Sequence, residues 1–360
     1  MGGRRSAAKL ENQLPPEILI RIRGFSPCTN PVLCRLERAV ADELSPDFCR
    51  SSAMTSPDTT PSASPMLATA VIPWTPAFEF DEERFHRQVQ TIAGDLTRYI
   101  YIFGTAGEGY AVSEKQFDQI SKAFWLSARQ AGAAPMVGII SLSTTAVIDR
   151  IERCRAIGFQ TFQLSIPSWG PLSDAELDLF FAETCGRFPD CQFHHYNLLR
   201  TKRLLTAKEY KRLADTHPNL IAVKSSASDP LVVSDLLQAS PRLRFYFTEV
   251  GYTLARRTHD VGLLVSISSI NPARAKAFAA GDHSRREADL GEIIAMINSL
   301  KELAHNRFHM DGAFDKMQFR CSDPSFPLRL LPPYTGATEQ DFDSFLASIP
   351  SGWRQSHLRQ

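Results

Sequence analysis

The sequence lacks any apolar run approaching the roughly 20 residues that a bilayer-spanning helix needs, which excludes an integral helical membrane protein. It also lacks net charge. Lys+Arg 40 against Asp+Glu 39 leaves +1, so no general polyanion-binding surface for nucleic acid is expected. Neither GxGxxG nor GxxxxGK[ST] occurs, and with them go the two common phosphate-cradling fingerprints. The seven cysteines are an odd number and form no CxxC pair, which argues against a disulfide framework or a zinc site. Such usage fits a reducing, cytoplasmic compartment. No apolar stretch follows the basic opening MGGRRSAAKL, so it does not read as a secretory signal. Glu11, Glu17, Glu37, Asp42 and Glu43 argue against a mitochondrial-type leader.

The chain is long enough to build a core without metal or disulfide staples, but its first 65 residues do not look like part of one. They hold eight of the 23 prolines, and Ser51–Pro65 is Ser, Thr or Pro at eleven of fifteen positions. A segment with so little to bury cannot offset its ordering entropy, so residues 1–65 read as a tail that is dispensable for chemistry. Within it, residues 16–22 and 34–44 are candidate short helices, and Met54 is a candidate start.

From Met66 the pattern is regular. Strand candidates lie at Leu67–Ile72, Arg98–Phe103, Pro135–Ile140, Thr161–Ile166, Gln192–Tyr196, Leu220–Lys224, Leu243–Thr248 and Gly262–Ser266. Helix-start signals stand between them at Asp81-Glu82-Glu83, Ser113-Glu114, Ser143-Thr144, Ser173-Asp174 and Thr206-Ala207. Eight strands that each precede a helix predict an α/β fold of the (β/α)8 TIM barrel type over residues 66–281. A doubly wound sheet, the main competitor, ordinarily has fewer units and a glycine-rich first turn. Beyond Gly281, two or three helices, notably Arg285–His305 and Glu339–Ala347, make residues 282–360 a C-terminal helical appendage.

Barrel chemistry sits at the C-terminal ends of the strands. Reading those ends in order gives the loop Gly104–Gly109, then Tyr196, then Lys224. A lysine ending an apolar strand either snorkels into solvent or points into the barrel mouth. In the mouth, burial lowers its pKa and makes it a nucleophile toward a ketone, forming a Schiff base whose iminium is an electron sink. The GTAGEG loop is either a tight βα turn or a set of backbone amides able to hold a carboxylate. A phenol such as Tyr196 at the mouth can relay protons.

Together these residues resemble the dihydrodipicolinate synthase/N-acetylneuraminate lyase family of class I aldolases. The matching pieces are GTAGEG against the family's G-[ST]-T-G-E, Tyr196-Asn197, and Val223-Lys224-Ser225-Ser226, with 28 residues from Tyr196 to Lys224. The resemblance covers residues 67–281, and more loosely PLRLLPPY near the end. It implies Lys224 as the Schiff-base lysine, Tyr196 as proton relay with Thr105 as a further catalytic group, and Thr105-Ala106 as a cradle for pyruvate carboxylate. Gly107, Trp169, Arg200 and Val265 are the further substrate-binding positions. It also implies a covalent imine in place of any cofactor, an aldehyde as second substrate, and a homo-oligomer, tetramer or dimer.

Four departures accompany the resemblance. Ala106 replaces a second hydroxyl. Pro167-Ser168-Trp169-Gly170 stands where synthases carry a Tyr-Tyr pair, and an indole cannot relay a proton as a phenol does. Arg200 lies four residues after Tyr196, not five, and strand seven ends in Thr248-Glu249-Val250-Gly251. These differences keep two alternatives open: a sugar-acid dehydratase or aldolase on the same scaffold, and a catalytically silent barrel that binds 2-oxo acids. No metal is expected. His194 and His195 are adjacent in a strand and face opposite sides, and Asp311–Asp315 resembles a calcium-loop start without the required glutamate. Arg200, Lys202 and Arg203 form a small basic cluster that either attracts an anionic substrate or is merely solvated.

Overall fold

A computed structural model describes residues 65–305 and 307–355. The proposed tail, its two candidate helices and Met54 lie outside the described residues. The eight strands are β1 (Met66–Thr69), β2 (Tyr99–Ile102), β3 (Ala134–Gly138), β4 (Thr161–Leu164), β5 (Gln192–Asn197), β6 (Leu220–Ser225), β7 (Arg244–Phe247) and β8 (Gly262–Leu264). All pair in parallel, and β8 returns to β1, so the sheet is a closed barrel. An open doubly wound sheet has no such closing pair.

The expected helix starts cap as their chemistry dictates. Asp81, Ser113, Ser143, Ser173 and Thr206 are the N-caps of α1 (Glu82–Asp95), α2 (Glu114–Gln130), α3 (Thr144–Ile157), α4 (Asp174–Phe181) and α5 (Ala207–Thr216). Each side chain accepts a hydrogen bond from a first-turn amide that would otherwise be orphaned. Then come α6 (Pro230–Leu237), α7 (Glu249–Ala255) and α8 (Pro272–Ala280), followed by α9 (His283–Ala304), α10 (Asp311–Arg320) and α11 (Glu339–Ser348). Among the described residues no helix is long and apolar enough to cross a membrane.

The core has two layers. A large apolar cluster fills the space between the strands and the surrounding helices. A smaller one (Leu67, Tyr101, Met136, Ala222, Tyr246 and Leu264) fills the barrel itself. The period of two along each strand sends alternate residues to one layer or the other. The C-terminal helices pack directly on this body: α9 against α7, α11 against α9, and α10 against the turn Ile267–Ile270 that follows β8. The last contact carries α10 to the rim where the strands end.

Candidate active site

Lys224 lies on β6 in the inward row with Ala222, level with Tyr196 of β5 and Tyr246 of β7. Only 3% of its surface is exposed, so the snorkelling alternative does not hold. Its Nζ donates a 2.8 Å hydrogen bond to the hydroxyl of Tyr101, which reaches across from β2. The same nitrogen lies 3.9 Å from the centre of the Tyr196 ring. Burial pulls the Lys224 pKa down to about 7, against the opposing pull of the Asp311 and Asp315 carboxylates.

Burial pushes both phenols the other way. Tyr196 is raised, with Asp311 adding to the rise and a polar contact with Thr105 moderating it, and Tyr101 is raised well above a free phenol. Both therefore hold their protons at neutral pH. Beneath them the barrel floor is polar. Gln163 and His194 are partners in register on β4 and β5. The Gln163 amide and His194 Nδ1 are buried with no hydrogen-bond partner among the described residues. His194 stacks on Tyr246, and burial lowers its pKa to about 4. His195 faces outward to the Tyr210 hydroxyl at 2.7 Å, so the two histidines do occupy opposite faces.

The GTAGEG loop sits over this group. Thr105 and Ala106 are both buried, but the Ala106 methyl turns into an apolar cluster with Val71 and Phe326. A hydroxyl at that position would have to enter this cluster, and what Ala106 can offer the mouth is its backbone N–H. The carbon a side chain would add at Gly107 would lie 2.7 Å from the Phe103 nitrogen, so glycine there lets the loop coil back on its own strand.

Glu108 is fully buried and binds nothing at the mouth. Its carboxylate accepts hydrogen bonds from Trp74 Nε1 (2.9 Å), Lys316 Nζ (2.6 Å) and the Leu331 amide (2.7 Å). It thus ties the loop to the C-terminal region. Gly312 tightens the tie, because a Cβ there would lie 2.9 Å from the Ala106 carbonyl oxygen.

Of the other expected site residues, Val265 is buried just past β8. With Thr69, Asp315 and the α1 residues Thr91 and Ile92 it lines a cavity of about 30 Å³ that includes none of Lys224, Tyr101, Tyr196 or Thr105. Arg200 stands at the rim, but its guanidinium donates to the His309 carbonyl (2.8 Å) and Asp311 (3.2 Å). Trp169 is 82% exposed and is not brought into its own chain's Lys224 group. Glu249, where the family carries Gly-Asp, is buried at the start of α7. It accepts from the Ser266 and Ser268 amides at 2.9 and 3.0 Å, which fixes the turn after Val265.

A nearly buried lysine, an aligned phenol and an overlying GTAGEG loop, all at the C-terminal rim of a parallel barrel, reproduce the arrangement the motifs implied. A model of the dihydrodipicolinate synthetase family matches residues 63–326. The chain belongs to that family. Enzymes of the family use a lysine Schiff base without an external cofactor, and membership brings their lyase/aldolase character. The fold is similar to the 4-hydroxy-tetrahydrodipicolinate synthase of Methylacidiphilum fumariolicum (15% identity, 80% of this chain and 95% of that one, TM-score 0.70). It is also similar to the dihydrodipicolinate synthase of Cyanidioschyzon merolae with lysine bound (18%, 80% and 97%, 0.68). A third likeness is the Escherichia coli prophage protein YagE in complex with pyruvate (14%, 78% and 96%, 0.67). No curated protein matches the chain.

Several groups in or near the barrel mouth escape a reading by motif: Tyr101, Gln163, Glu249, Asp311 and Asp315. The first three look like ordinary members of their strands and helix. The aspartates had one usable signal, a spacing of four residues, which puts both on one face of a helix.

Proposed function

We propose that the protein is a Schiff-base-forming lyase or aldolase in which the Lys224 amine adds to the ketone of pyruvate or a related 2-oxo acid. The observation that carries this reading is Lys224 itself, an amine 3% exposed, held at 2.8 Å from the Tyr101 hydroxyl and brought to a pKa of about 7. A neutral amine adds to the ketone, water leaves, and the iminium draws electrons from the adjacent carbon. The resulting enamine attacks an aldehyde, or the same steps run backward as cleavage. In this reading Thr105 and the amides of Ala106 and Gly107 receive the carboxylate, Tyr196 and Thr105 move protons, and Val265 borders the substrate. The imine takes the place of a cofactor. The pyruvate complex of YagE supports the choice of 2-oxo acid. The buried thiols Cys154, Cys185 and Cys191 suit a cytoplasmic setting.

One observation favours a second reading for the other substrate. Arg200, the counterpart of the arginine that holds a second carboxylate in synthases, is occupied by Asp311 and His309. That supports a hydroxylated, sugar-acid-type substrate for a dehydratase or aldolase. The resemblance also implies a homo-oligomer, in which the exposed Trp169 would meet a second copy.

The test is covalent trapping. Incubation with pyruvate and borohydride is expected to add one reduced pyruvate per chain, located on Lys224 by peptide mass spectrometry, and Lys224→Ala is expected to abolish it. Folded protein that forms no adduct with any 2-oxo acid would leave the silent binding barrel as the better reading. A panel of aldehydes, run after the adduct is established, separates the two lyase readings.

A further inference from the structure

Tyr101 stands on β2 and Lys224 on β6, four strands apart in a ring of eight, so their side chains meet only because they span the barrel. The tyrosine is 3% exposed and packs inside the barrel with Leu67, Met136, Ala222, Tyr246 and Leu264. Glycine at position 104 makes room for its ring, since a Cβ there would lie 2.8 Å from Tyr101 Cε2. The hydroxyl therefore reaches Lys224 Nζ, at 2.8 Å, from a ring that is wedged in place.

Tyr101 is the hydrogen-bond partner of that nitrogen among the described residues, and no carboxylate there forms an ion pair with it. Two ring faces border it as well: Nζ lies 4.3 Å from the centre of the Tyr101 ring and 3.9 Å from that of Tyr196. Both kinds of contact favour a charged nitrogen over a neutral one. A hydrogen bond from a cation is roughly twice as strong as one between neutral groups, and a ring face attracts a cation through its quadrupole. Burial holds the Tyr101 proton in place, so its oxygen meets the nitrogen as a neutral phenol and not as a phenolate.

We propose that the Tyr101 hydroxyl is a catalytic group of the Lys224 centre, the acceptor that holds the nitrogen as it becomes charged. The proposal rests on the Schiff-base reading above and leaves proton transfer with Tyr196 and Thr105. The amine lone pair forms the C–N bond while the π pair of the ketone moves to oxygen, which places positive charge on nitrogen. The relay then carries one N–H proton and one proton from solvent to that oxygen. The C–O bond breaks, water leaves, and the nitrogen lone pair closes the C=N bond. One N–H remains on the iminium and donates to the Tyr101 oxygen. Tyr101 itself gives and takes no proton. Its hydrogen bond strengthens between free amine and charged adduct, which is what lowers a barrier. Because the iminium is planar with a single N–H, the same bond also fixes the rotation of the bound 2-oxo acid.

The experiment measures, in the full-length protein, the maximal rate of borohydride-trapped pyruvate adduct and the pyruvate concentration giving half of it. Tyr101→Phe keeps the ring and removes the acceptor. It is expected to slow the maximal rate on the order of 10- to 100-fold, with the half-saturating concentration and the melting temperature little changed. A fluorinated tyrosine placed at position 101 keeps ring and hydroxyl but makes the oxygen a poorer acceptor and a better donor. It is expected to slow the reaction part of the way, an effect that packing alone would not produce. A Phe variant with the wild-type rate would overturn the role of Tyr101 and leave the Lys224 reading standing. A fluorinated chain as fast as wild type, or faster, would overturn it too, and decides the matter if the Phe variant does not fold. Wild-type protein that never forms an adduct would overturn both.

Discussion

At Gly104, the first residue of the loop over the site, an added methyl carbon would lie 2.8 Å from Tyr101 Cε2, 3.4 Å from Lys224 Nζ and 3.5 Å from Gln163 Nε2. The first distance is shorter than real carbon contacts allow, and the Tyr101 ring has little room to retreat because it is packed inside the barrel with Leu67 and Met136. Gly104→Ala is therefore expected to cost about 1–3 kcal/mol of stability and to slow adduct formation at least several-fold by displacing the phenol from the amine. Thermal melting and the borohydride assay read the two effects separately. An unchanged adduct rate would mean that the Tyr101–Lys224 contact is not needed. This contact also marks where sequence reading stops. Lys224 stands out because a charge ends an apolar strand, and Tyr196 because it stands a fixed step before it. Tyr101 and Gln163 carry no such contrast: an aromatic or an amide in a strand is common, and only closure of the barrel brings both beneath Gly104.

Among the elements, α10 shows best what pattern alone misses. The strands were legible because short β-branched and aromatic runs between capped helices have few other readings. Most predicted ends ran long, as at Leu67–Ile72 against the observed Met66–Thr69, whereas β5 and β6 each run one residue past the expected end. α9 and α11 fell close to their expected spans. α10 did not, and its stretch read only as a loose calcium-loop start. Its buried face is made of Gly312, Ala313, Lys316, Met317 and Gln318, so two of the five residues it buries look like surface. What makes that burial affordable is a partner 208 residues away, the carboxylate of Glu108. Both side chains of this pair are fully buried, so removing one charge strands the other. Lys316→Met is expected to destabilise the fold by about 3–5 kcal/mol, and adding Glu108→Gln to recover most of it. Chemical denaturation of the single and double variants measures this. Equal losses in both would mean that packing around Lys316, and not its charge, holds the helix.

For the whole molecule, the alternation of strand and helix specified the barrel, and the departures from family pattern lie at its mouth, where the last helices arrive. Ser51–Pro65 is Ser, Thr or Pro at eleven of its fifteen positions. Pro65 still matters, since its carbonyl accepts the Leu263 amide at 3.0 Å where β8 meets β1. A chain shortened to begin at Ser64 keeps that bond and is expected to melt within a degree or two of the full-length protein, as differential scanning calorimetry would report. A drop of several degrees would show that the removed segment contributes to the fold. The position of α10 has a further consequence, in time. A ribosome finishes the last barrel strand 56 residues before it completes the helix that carries Lys316. At ordinary elongation speeds that is an interval of seconds. During it, the lysine strand exists while the loop that faces it lacks its anchor. A barrel cut short by a stop before α10 would retain its lysine strand but leave the buried Glu108 without Lys316.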